Sequence, residues 1–191
     1  VDTLETLVDR LVSRGLKPVF EDVSLSIPEG GVFCLLGPNG CGKTTFIDAI
    51  LGIHKLRDGR VVLDGTDIDE LSPHEVARKM AYVPQMHSRH FAFSVMDILL
   101  MGRAAYASCF SAPGPEDRAI AGRTLESFGM AHLEDRDYTQ LSGGETQLVM
   151  IMRALVQNSP TIIMDEPTAH LDFKHELAVL DAEAAEVLVR H

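Results

Sequence analysis

Residues 37–45, GPNGCGKTT, combine a nearly bare backbone with one cation and two hydroxyls. Through Thr44 they fit G-x-x-x-x-G-K-[ST]. They also lie between a short apolar run and an amphipathic one, the strand–loop–helix setting this pattern needs. Gly37, Gly40 and Gly42 let backbone N–H groups converge on phosphate oxygens, because a Cβ would block close approach. Pro38, Asn39 and Cys41 complete the loop. The helix that follows adds its positive N-terminal end. Lys43 is suited to bridge β- and γ-phosphates, the Thr44 hydroxyl to ligate Mg²⁺, and Thr45 to bond the α-phosphate. The chemistry is that of holding the polyphosphate tail of a nucleotide.

Other residues supply what a phosphate loop lacks. Asp165 and Glu166 follow the apolar run TIIM, at the C-terminal end of a predicted strand, where open α/β sheets place their sites. Asp165 is expected to hold Mg²⁺ through water, and Glu166 to polarise the attacking water as general base. Gln85 ends MAYVPQ with a neutral amide suited to touch both metal and water and to sense the γ-phosphate. In LSGGE, residues 141–145, Ser142 can cap the next helix while Gly143 and Gly144 expose its first N–H groups. That makes a second anion site in a chain with one nucleotide motif. Such a site points to a nucleotide held by another copy.

These residues need elements to position them. VFCLL, residues 32–36, reads as a short, fully buried parallel strand, and TTFIDAIL as a helix stopped by Gly52. GRVVLDG and MAYVPQ read as strands, and PTIIMDEP as a second buried strand. From Phe91 to about His132 the pattern is helical, broken by SAPGPED, and TQLVMIMRALVQ continues at helical spacing. Near the N-terminus Leu4, Leu7, Val8, Leu11 and Val12 have helical period, yet the family resemblance below favours a strand.

The alternation predicts an α/β fold: a P-loop NTPase core with a mostly parallel sheet, an N-terminal antiparallel β portion and an inserted helical subdomain. A single domain over residues 1–191 is expected, with the core at about 1–85 and 159–191 and the helical part at about 86–158.

Composition narrows the setting. A hydrophobic share of 46% supports one globular domain, and a net charge of −11 disagrees with nucleic acid as main ligand. No apolar run approaches the ~18 residues needed to span a bilayer. The first residues show no signal peptide, and the absent initiator Met suggests a processed start. Cys34, Cys41 and Cys109 read as free thiols in a reducing compartment, and the methionines of LVMIMR as core packing.

Taken together, GPNGCGKTT, YVPQ, LSGGE and IIMDEPTAHLD, in that order, resemble the ATP-binding subunit of ABC transporters. SVMDILLMGR and TAHLDF further resemble the subgroup importing iron–siderophore, haem or cobalamin-type chelates. The resemblance implies two copies sandwiching two ATP with Mg²⁺. Lys43, Thr44, Gln85, Asp165 and Glu166 of one copy would face Ser142, Gly143 and Gly144 of the other, with Asp172 at the seam. It also implies integral permease subunits docking near Gln85, indirectly a substrate-binding protein, and a peripheral place at the cytoplasmic face of the membrane.

There are departures. Arg14 falls where the family stacks adenine on an aromatic ring, and Thr146 where it commonly has Arg. The family's switch histidine lies further along than His191, whose surroundings fit a helix better than a strand, so the C-terminal part is expected to be missing. Three alternatives remain open: a soluble ABC ATPase acting on nucleic acid, an exporter ATPase, and a nucleotide-binding fragment that does not hydrolyse.

Overall fold

The computed structural model describes residues 3–12, 18–28, 30, 33–85, 91–106 and 112–166, with side chains from Val19 onward. Two compact units, residues 1–76 and 77–191, are taken in turn.

The first unit is built on an antiparallel sheet in the order β2-β1-β3-β4: β1 Thr3–Val12, β2 Pro18–Pro28, β3 Asp58–Leu63 and β4 Thr66–Asp67. The N-terminal segment is a strand in spite of its helical period. Its backbone is paired on both sides, Leu4 with Ile27 of β2 and with Leu63 of β3. Two ladders outweigh a weak local preference. β2 alternates as a half-covered strand should: Val23, Leu25 and Ile27 are half-buried, Ser24 and Ser26 exposed. Asp64 and Gly65, both at positive φ, join β3 to β4, a two-residue hairpin turn that matches strand twist. Helix α1, Lys43–Ile50, buries Phe46, Ile47, Ala49 and Ile50, with Phe46 against the Phe20 ring at 5.2 Å. Gly52, at positive φ, turns the chain away just beyond it.

One expectation fails here. Residues 33–36 are neither strand nor buried: Phe33, Leu35 and Leu36 are exposed, Leu36 by 89%. An apolar run becomes a buried strand only where neighbours pair with its backbone and cover its faces. None of the described ladders includes these residues.

In the second unit, which opens with the last turn of α2 (Pro73–Lys79), β5 Met80–Val83 pairs parallel with β6 Thr161–Met164. Among the described residues its longer helices are α3 (Val95–Met101), α4 (Pro115–Ser127) and α5 (Gly143–Gln157). Residues 146–152 of α5 are buried without a break, Thr146 and Gln147 included, so the helix runs through the core. Leu99, Leu125, Leu148, Ile151 and Met152 are among its fully buried neighbours and members. Each such side chain contributes ~1.5–3 kcal/mol relative to exposure. Met150 and Met152 pack in this core as expected. β5 is largely buried, but β6 is only half-buried along its length, short of the buried strand expected. β6 pairs only with β5 among the described residues.

Candidate functional site

The phosphate loop is described within the first unit. Gly40 and Gly42 take positive φ, +81° and +101°, and Gly42 is the N-cap of α1. A Cβ on Gly42 would meet Val19 Cγ1 at 2.5 Å and the Phe20 ring at 2.9 Å, so glycine is required twice over. The Cys41 N–H donates to Pro38 O at 3.2 Å and closes the loop. Lys43 Nζ reaches back over it to Gly37 O, 2.8 Å, and Pro38 O, 3.4 Å. The ammonium is thereby held above the loop backbone. Thr44 is exposed and Thr45 half-buried.

Helix starts differ in a telling way. In α2, α3, α4 and α5 a carboxylate in the first turn reaches back to the N-cap N–H: Glu75 to Ser72, Asp97 to Ser94, Asp117 to Gly114, Glu145 to Ser142. Each closes the positive end of its own helix. Helix α1 has no acid in its first turn and no side-chain cap at Gly42. Among the α-helices of the described residues, α1 is the one with no acid in its own first turn.

In the second unit the strand register explains the next grouping. Val83 pairs with Met164, and the Asp165 N–H donates to Val83 O at 3.0 Å. Gln85 and Glu166 each follow the last pair by two residues, and the Gln85 amide donates to Glu166 Oε2 at 2.5 Å. Asp165 is buried to 3% exposure, and Glu166 sits at φ +50°, a conformation rare for residues other than glycine. The direct Gln85–Glu166 pairing was missed from sequence. The matching offsets of PQ and DE from their strands carried the signal, but only once the register was known.

Ser142 does cap α5: its Oγ accepts from the Glu145 N–H at 3.3 Å. The same hydroxyl gives its hydrogen to the Glu145 carboxylate, so the box is closed in both directions. Thr146, where the resemblance raised a departure, donates its hydroxyl to Ser142 O at 2.7 Å and steadies the same turn. Glu145 is held below the usual glutamate range, chiefly by the Ser142 N–H and then by the Ser142 side chain. The sequence S-x-x-E already spells this box. Gly143 is exposed and Gly144 half-buried. Arg14, Asp172, His191 and Cys109 lie outside the described residues.

The sequence profile described as ABC transporter matches residues 20–169, most of the chain. The chain belongs to the ABC transporter family. Among its relatives, the molybdate import ATP-binding protein MolC of Haemophilus influenzae is 36% identical, over 85% of this chain and 59% of that one. The iron(3+)-hydroxamate import ATP-binding protein FhuC of Bacillus subtilis is 37% identical, over 88% and 63%. Among solved structures, a metal-chelate type ABC transporter in an inward-facing conformation superposes with a TM-score of 0.81 at 31% identity, over 99% of this chain and 69% of that one. The α/β fold expected for this family is thereby borne out. The chain spans 59–63% of the length of the first curated relatives it matches. Among the described residues no helix is long and apolar enough to cross a membrane.

Proposed function

We propose that the chain binds ATP and Mg²⁺ and, as one domain, hydrolyses ATP to drive a membrane transporter. The observation that carries this reading is the start of α1: a positive helix end with no acid in its own first turn, behind a loop that only glycine can form, with Lys43 folded over it. Gly37 through Thr45 would hold the phosphates. The Thr44 hydroxyl, Gln85 carbonyl and Asp165 carboxylate would each offer oxygen, which a hard cation such as Mg²⁺ prefers. Bound there, Mg²⁺ would neutralise charge on the β- and γ-phosphates. Glu166, with Gln85 beside it, would take a proton from water as the water oxygen bonds the γ-phosphorus. The bond from that phosphorus to the bridging oxygen breaks, and ADP leaves.

The site is completed, in this reading, by Ser142, Gly143 and Gly144 of a second copy, with Asp172 at the seam. The exposed Gly143 at the start of α5 supports it. Permease subunits at the cytoplasmic face, and indirectly a substrate-binding protein, would complete the machine. FhuC and the metal-chelate transporter favour an iron chelate or a related haem or cobalamin-type cargo, imported rather than exported. The experiment is ATP turnover with Mg²⁺ against protein concentration, beside Glu166→Gln. Turnover rising more steeply than linearly and vanishing in the variant, with ATP still bound, is expected. Failure to bind ATP overturns the reading.

A further inference from the structure

Arg153 lies on α5, eleven residues beyond Ser142, and has no part in the chemistry above. Its Nη2 donates to Tyr82 O at 3.2 Å, the guanidinium's one hydrogen bond among the described residues, where it has no carboxylate partner. Burial pulls it below the usual arginine range, with the nearby Tyr138 opposing. A half-buried cation given one carbonyl gains little stability over an apolar side chain of similar shape. Something other than stability has to account for it.

Its acceptor suggests what. Val83 O, the next carbonyl along β5, accepts from the Asp165 N–H on the β6 side. Carbonyls alternate along a strand, so Tyr82 O faces the other edge, and there Arg153 takes it. β5 is then gripped from both sides one step before the residues that lead to Gln85. The partner of Gln85, Glu166, leaves β6 in register with it. The helix that begins at the LSGGE turn is thus tied to the strand that aims Gln85.

We infer that Arg153 is a positioning residue for the Gln85–Glu166 pair, linking the body of α5 to the end of β5. The inference rests on the hydrolysis proposed above for its kinetic consequence, but not for its structural one. Two variants test it, Arg153→Met and Arg153→Lys. In Arg153→Met the urea midpoint should hold or rise, KM for ATP should stay within about twofold, and kcat should fall about tenfold or more, since small misplacements cost rate rather than ground-state binding. Arg153→Lys, which retains a donor, should recover part of kcat. The Gln85 side-chain amide resonance, assigned by its loss in Gln85→Ala, should move toward that of a solvated glutamine in Arg153→Met, whether or not the protein turns over. An unmoved resonance, an Arg153→Met chain that is destabilised or does not fold, or a kcat per folded molecule equal to the parent's overturns the inference. A parent chain without turnover overturns the hydrolysis reading instead, and the resonance still decides on Arg153.

Discussion

Gly42→Ala tests the loop from which nucleotide binding is argued. At φ +101° an L-residue carries a left-handed penalty of roughly 1–2 kcal/mol. The loss of unfolded-chain freedom on replacing glycine returns about 0.4–1 kcal/mol. The Cβ would also sit 2.5 Å from Val19 Cγ1 and 2.9 and 3.1 Å from two atoms of the Phe20 ring. Phe20 cannot swing aside easily, because it packs on Phe46 of α1. Overpacking of that kind adds about 1–3 kcal/mol, for a total of about 2–4. Gly40→Ala is the matched control: its φ is +81°, but a Cβ there meets nothing within 4 Å. It should cost about 1 kcal/mol or less, the backbone contribution alone. Urea unfolding followed by circular dichroism separates the two, and ATP affinity should fall further in Gly42→Ala. Equal midpoints for the two variants would refute the packing of this loop against β2 and, with it, the argument that the start of α1 is a built site.

Other outcomes follow from the second unit. Leu99 is fully buried, so Leu99→Ala should cost about 2–5 kcal/mol, read as a lower urea midpoint. Asp117, bonded by Arg103 Nε at 2.8 Å, and Glu145 are both held below their ordinary values of 3.8 and 4.5. Depressed carboxylates stabilise the fold above those values, and the contribution is lost as pH falls through the lower folded values. The urea midpoint should therefore drop on acidification below about pH 4.5, and less steeply in Glu145→Gln.

Much of this was legible in the sequence because local chemistry and fold agree. The phosphate loop and the Ser142 cap each depend on a few neighbouring residues. β1 was not legible from its own pattern, since its strand form comes from ladders to β2 and β3. The run at residues 33–36 misled for the opposite reason: it has the composition of a buried strand, but none of the described ladders pairs with it. The Gln85–Glu166 contact joins residues 81 positions apart and depends on the register of β5 with β6, which no single segment encodes. Arg153 was invisible for a related reason. An arginine in an apolar helix gives no sign of which carbonyl it meets.

A chain of net charge −11 that binds a polyphosphate poses an electrostatic question, and the helix starts answer it. Glu75, Asp97, Asp117 and Glu145 neutralise the positive ends of α2 to α5, while the corresponding third position of α1 is Thr45. Placing an acid there should treat α1 like the others. Thr45→Asp is expected to leave stability unchanged or raise it by about 0.3–1 kcal/mol, because the carboxylate complements the helix dipole. The same charge would occupy the space proposed for phosphate, so ATP affinity should fall by about tenfold or more, some 1.4 kcal/mol. Thr45→Asn removes the same hydroxyl without the charge and should lose far less. Calorimetry with ATP on both variants isolates the carboxylate. If Asp and Asn bind ATP equally, the acid-free first turn of α1 is not what attracts the nucleotide. Lys43 and the loop amides would then have to account for the affinity by themselves.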